Sequence, residues 1–238
     1  MDHAAIAHTA PAATGAFISL EGVDGAGKST QVRLLVAALR HMGQDVVSLR
    51  EPGGTAISEK IRALLLDPAN AEMGDTCELL LYEAARAQLV HQVIKPALAA
   101  GKVVVSDRFY DSTTCYQAYA DGLDLKTVLN ANDLAVAGTH PALTLVYQIE
   151  PALAAERMAA RAGTDRMEAK GMAFQERVYR GFCEIAEREP ERVEVIDATP
   201  GIAEVFAATV EAVRARGIEV SDEAVAAALA QLSAGEAE

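Results

Sequence analysis

The sequence predicts a three-layer α/β fold, a five-stranded parallel sheet flanked by helices. Three observations lead there. Short β-branched runs alternate with longer helical patterns along the whole body of the chain. The run Lys102–Asp107 (KVVVSD) is apolar through its middle, as a strand covered on both faces must be. The first strand runs straight into a glycine-rich loop followed by an amphipathic helix, which is the layout of a phosphate-binding unit.

Ala16–Glu21 (AFISLE) is the first strand. Gln31–Met42 repeats Val32, Leu35, Val36 and Leu39 at helical spacing, and Gly43 supplies the stop. Asp45–Leu49 is the second strand, followed by a turn-rich loop, Glu51–Gly54, whose Glu51-Pro52 bond is a candidate for the cis form. A long helical region spans about Thr76–Ala100, interrupted or ended near Pro96, and Lys102–Asp107 is the third strand, expected to lie centrally. Helical segments follow at Ser112–Tyr119 and Leu125–Ala137, then a fourth strand at Leu143–Ile149. Pro151 suits the first turn of a helix over Ala152–Ala162. A polar break at Gly163–Gly171 is expected to form a short mobile lid, about residues 160–171. A further helix runs to about Arg188, Arg192–Asp197 is the fifth strand, and Ile202–Arg216 closes the domain. One domain is expected over residues 16–217, with a flexible tail at 1–15 and an acidic, Ala-rich extension at 218–238 that is either helical or disordered.

The loop after the first strand reads Gly22-Val23-Asp24-Gly25-Ala26-Gly27-Lys28-Ser29, which satisfies G-x-x-x-x-G-K-[ST] in the strand–loop–helix context that gives the pattern meaning. Its glycines let backbone N–H groups curl around a β-phosphate, and Thr30 and the helix that follows add unpaired donors and the positive end of its dipole. Lys28 reaches the β- and γ-phosphates, and Ser29 offers a hydroxyl to Mg2+. Asp107, at the end of the third strand, is the matching metal-side carboxylate. ATP and Mg2+ are therefore the expected cofactors. A regulatory GTPase is disfavoured, because the nearest string to its guanine reader, Asn130-Ala131-Asn132-Asp133, lacks the lysine.

With 34 acidic against 21 basic residues, net −13, the chain would repel a polyanion, so no nucleic-acid polymer is expected as partner. Cys77, Cys115 and Cys183 form no C-x-x-C pair and suit idle thiols in a reducing cytosol. Residues 1–15 lack the pattern of a signal peptide, and no stretch is long enough to span a bilayer. A cytoplasmic protein without a membrane partner is the expectation.

Three further segments carry a family resemblance: Arg50-Glu51-Pro52-Gly53-Gly54-Thr55, the helical Tyr82–Gln88, and Asp107-Arg108-Phe109 continuing to Ser112–Gln117. Together with the phosphate loop they resemble bacterial thymidylate kinases in order and spacing, from about Phe17 to Val213. The resemblance implies a nucleoside monophosphate kinase of the P-loop class, transferring the γ-phosphoryl of ATP to dTMP, and a homodimer. It also implies particular roles. Tyr82 stacks on thymine, where Phe is usual, and Arg86, one turn on, reaches the base carbonyl. Tyr116 crowds the sugar 2′ position, Asp24 accepts from the 3′-hydroxyl, and Ile196–Thr199 lie near adenine. Thr113 and Gln117, four apart on a helix, share a face toward the thymine edge. Arg50 and Arg108 each follow a strand at its carboxyl end, where guanidinium forks clamp the acceptor phosphate.

Phe109 stands where Tyr is usual, Phe182 at a position often held by Tyr, and Ala118–Gly122 lacks the arginine common in that loop. No Lys or Arg occupies the variable loop positions 23–26, so the cation for the transferred group is expected from the lid, Arg161 first and Arg166 second, with Arg157 on the same face as Arg161. Catalytic residues on this reading are Lys28, Arg108, Arg161 and Arg166. The rival readings are another nucleoside or nucleotide kinase, or an ATPase or sensor without acceptor chemistry.

Overall fold

The structure, a computed structural model, describes residues 15–159 and 166–235. Five parallel strands, β1 (Phe17–Glu21), β2 (Val46–Arg50), β3 (Val103–Asp107), β4 (Leu143–Gln148) and β5 (Val193–Asp197), form one sheet in the order β2-β3-β1-β4-β5. The interior strands β1, β3 and β4 are buried almost throughout, whereas the edge strands β2 and β5 alternate between core and solvent. That difference follows from position, since only interior strands are covered along both faces and both edges.

Helices α1 (Lys28–His41), α8 (Met172–Arg188) and α9 (Ile202–Ala215) contribute to the larger core, with Leu35, Phe182 and Phe206 among its fully packed side chains. The opposite face carries a second cluster in which Leu89 and Ile94 pack with Phe17, Val104 and Phe109. It is supplied by α3 (Asp75–Leu89), a π-helical continuation at Val90–Ile94, and α4 (Lys95–Ala99). The expected break near Pro96 is thus no break. Pro96 sits in the first turn of α4, and the widened turn just before it absorbs the bond that proline cannot donate.

Sequence periodicity assigns no element to residues 55–75, yet α2 (Ala56–Leu66) lies there. Thr55 caps it, its Oγ1 accepting the Ser58 amide at 3.1 Å. Only Ser58 and Leu65 of this helix are buried, so its apolar face is too weak to announce itself. The segment expected as a helix over Ser112–Tyr119 begins earlier, as α5 (Tyr110–Thr113), and widens into a π-helix over Thr114–Ala120. It is followed by α6 (Leu125–Val136), capped by Asp124. After β4 comes α7 (Pro151–Met158), opened by Pro151 at its first position. Gly43 ends α1 with φ 78°, a conformation that favours glycine.

The carboxyl-terminal extension is helical: α10 (Asp222–Gly235) packs on α1 and α9 through Ala224 and Ala228. Arg214 of α9 ties the joint, donating to the Val220 carbonyl at 2.7 Å and pairing with Asp222 at 2.6 Å.

Candidate active site

The register places Arg50 of β2 beside Asp107 of β3, and Asp107 beside Leu20 of β1, so the strand ends that carry the candidate residues are neighbours. From β1 the chain enters the phosphate loop with Gly22, Gly25 and Gly27 at φ 136°, 84° and 85°. Two of these need glycine for space as well. A Cβ on Gly22 would lie 2.5 Å from the Tyr147 carbonyl oxygen, and one on Gly25 2.3 Å from that of Ala154. The Lys28 ammonium donates to the carbonyls of Gly22 and Val23 at 2.9 and 2.8 Å. Burial, with Arg108 nearby, lowers its pKa to about 8 despite Asp24, Asp107 and Glu21. Ser29 Oγ donates to Asp107 Oδ2 at 2.6 Å, which brings the two expected metal-side groups together.

Arg108 adopts φ 73°, rare for a residue with a side chain. Its guanidinium donates to the Gly22 carbonyl at 3.0 Å and Ser112 Oγ at 2.9 Å, pairs with Asp24, and lies over the Tyr116 ring. Tyr116 Oη donates to the other Asp24 oxygen at 3.2 Å. Burial alone would raise the Asp24 carboxyl, but Arg108 and Lys28 together outweigh it and hold the group below its ordinary value. Asp24, Arg108 and Tyr116 are therefore assembled as one unit.

A cavity of about 630 Å³ joins these groups. Its lining includes Arg157, Ala198 and Ile202, the loop from Asp24 to Thr30, and Tyr82, Arg86, Thr113 and Gln117. Arg157 donates to the carbonyls of Ala198 and Thr199 at 2.8 and 3.0 Å, pinning the β5 exit against α7. Arg50 also lines the cavity, but its guanidinium leans outward to Glu59 at 3.1 Å. Glu51-Pro52 is cis.

Arg86 is more deeply built in than its expected role at a base requires. It is 2 % exposed and bonded to Glu51 at 2.8 Å, Glu83 at 2.5 Å and Thr113 Oγ1 at 3.0 Å. Burial pushes Glu51 up to about 7, with Arg86 pulling down and Glu83 pushing further up. Gln117 donates its amide to Glu78 at 2.7 Å. Phe109 packs edge-on to Phe17 and Phe182 lies in the core, so neither needs the hydroxyl of a tyrosine.

Arg161 lies outside the described residues. Arg166 is buried, donating to the Leu65 carbonyl at 2.8 Å and pairing with Glu78 at 2.5 Å; it is not among the cavity-lining residues. Lys170 joins the same carboxylate at 3.2 Å and Asp121 at 2.8 Å. The Ala118–Gly122 loop thus sets Asp121 against Lys170. Glu21, Glu51 and Glu78 were missed by sequence reasoning. A Glu at the end of a mainly apolar strand, FISLE, is the available signal for the first.

The sheet order, loop and cavity are those of a P-loop phosphotransferase. The thymidylate kinase family matches residues 20–209. A thymidylate kinase of Geotalea uraniireducens is 46 % identical over 208 residues, covering 85 % of this chain and 98 % of the relative. One from Desulfosudis oleivorans is 48 % identical over 196 residues, 79 % and 92 % of the two chains. The crystal structure of thymidylate kinase from Ehrlichia chaffeensis superposes with a TM-score of 0.69 at 33 % identity, covering 84 % of this chain and 99 % of that one. The chain belongs to the thymidylate kinase family.

Proposed function

We infer that this chain transfers the γ-phosphoryl group of ATP to dTMP, giving dTDP and ADP. The observation that carries this reading is that the phosphate loop, Arg108, Tyr82 and Gln117 all line one cavity. The attacking atom is an oxygen of the acceptor phosphate, already anionic at neutral pH, so no general base is assigned. The work is alignment and charge neutralisation. Lys28 and the loop amides hold the donor phosphates, while Arg108 and Arg50 hold the acceptor phosphate. Asp24, kept ionised by its cations, accepts the sugar 3′-hydroxyl, and Tyr116 closes the 2′ side. Tyr82 faces the base, with Arg86, Thr113 and Gln117 behind it.

One hydroxyl and one carboxylate 2.6 Å apart fit Mg2+, which takes few protein ligands and completes its shell with water and phosphate oxygens. Ser29 and Asp107 would hold it, and when bound it supplies positive charge to the donor phosphates.

Arg161 is the first choice for the cation at the transferred group, with Arg166 second because Glu78 already engages it. Exposed Leu80, Leu129 and Leu134 on α3 and α6 supply an apolar surface for a homodimer. We place the enzyme in the cytoplasm, as one domain over 16–217 with a helical extension. Incubation with γ-labelled ATP and dTMP tests the reaction. The expected product is labelled dTDP; label released as inorganic phosphate irrespective of dTMP would favour the ATPase reading instead.

A further inference from the structure

Glu21 ends the central strand, paired in register with Val146 of β4, and its side chain is fully buried. A carboxyl group in such a place is costly unless its oxygens are used. Both are. Oε1 accepts the Phe109 amide at 2.6 Å, and Oε2 accepts the Ser112 hydroxyl at 2.6 Å. Ser112 Oγ in turn accepts from the Arg108 guanidinium at 2.9 Å. Phe109 is the residue directly after Arg108, whose left-handed backbone an L side chain rarely adopts.

The same turn is fixed from its other side. The Arg108 amide donates to the Leu20 carbonyl at 2.9 Å, and Ser106 Oγ donates to the Arg108 carbonyl at 2.7 Å. Glu21 therefore grips the turn at two points, the backbone beyond Arg108 and the hydroxyl that receives its guanidinium. We propose that Glu21 is a positioning residue, which through the Phe109 amide and Ser112 aims Arg108 at the acceptor phosphate. This rests on reading Arg108 as the phosphate clamp.

The arrangement has a consequence that a merely structural role lacks. Misaiming Arg108 should weaken ligands that carry the phosphate and spare those that do not. The probes are dTMP and thymidine, binding measured by calorimetry on the full chain. Arg108→Ala should weaken dTMP about ten- to a hundredfold, the scale of lost charged hydrogen bonds, with thymidine little changed. Glu21→Ala should weaken dTMP about tenfold, again sparing thymidine, and should add almost nothing in an Arg108→Ala background. Ser112→Ala removes one link of the relay without emptying the buried Glu21 position, so it carries the test if Glu21→Ala does not fold; it should show the same selective loss. Equal losses of dTMP and thymidine in Arg108→Ala would overturn the clamp reading itself. A phosphate-selective loss in Arg108→Ala with none in Glu21→Ala and Ser112→Ala would overturn the role of Glu21 alone. Full additivity of the Glu21 and Arg108 losses would overturn it too.

Discussion

Lys28 folds its ammonium onto two loop carbonyls, and burial lowers its pKa toward neutrality. A triphosphate would replace those carbonyls with stronger, charged acceptors and favour the ammonium further. Lys28→Ala should therefore reduce kcat by about 10²–10³, the scale of losing one preorganised donor at a charged transition state. A steady-state assay on a variant with native circular dichroism checks this. Glu51 gives a second prediction at this scale. Because burial raises its pKa to about 7 from an ordinary 4.5, the folded chain keeps a proton that the unfolded chain has released. Its contribution to stability is then fully present below about 4.5 and fades as pH rises toward about 7. Urea midpoints measured across that range should fall with rising pH, and Glu51→Gln should flatten the slope.

Among the elements, α10 and the segment around Arg166 lead to separate predictions. The extension buries Val220 and, on α10, Ala224 and Ala228, and partly buries Leu229 and Leu232; α10 packs against α1, the helix that opens at the phosphate loop. Ending the chain at Gly217 should lower stability by about 1–3 kcal/mol, the burial of a few apolar side chains less the entropy of ordering them; thermal unfolding measures it. Arg166→Ala removes one of two cations from the buried Glu78, so its Tm should fall noticeably. Arg161→Ala should instead depress kcat sharply with little change in the dTMP KM, as loss of a transition-state contact does. The strands and most helices were legible because apolar periodicity reports burial directly. Helix α2 was not, since Ile57 and Leu64 on it face solvent. The phosphate loop, Asp107 and Arg108 could be read because local spacing defines them. The pairing of Lys170 with Asp121 and Glu78 could not, because it joins segments far apart in the chain and depends on the folded approach of α3 to the segment around Lys170.

For the molecule as a whole, the sheet sets the carboxyl ends of β1, β2 and β3 side by side, and one cavity is lined both by residues after these strands and by Tyr82 and Gln117. The exposed leucines of α3 and α6 lie outside that cavity, so pairing of two copies would leave it open. Leu134→Glu should turn a dimer into a monomer by light scattering. On the proposed function, the cavity wall around Tyr82 and Gln117 selects thymine on a monophosphate. A wrong base edge would leave polar groups at the cavity wall unmatched, at about 1–3 kcal/mol each, whereas losing only the thymine methyl costs on the order of 0.8 kcal/mol. The most direct test is kcat/KM for dTMP, dUMP, CMP and AMP in one coupled ADP-release assay. The account predicts dTMP first, dUMP a few-fold behind, and CMP and AMP lower by an order of magnitude or more. AMP or CMP as the best acceptor, or ADP release that no monophosphate accelerates, would contradict it.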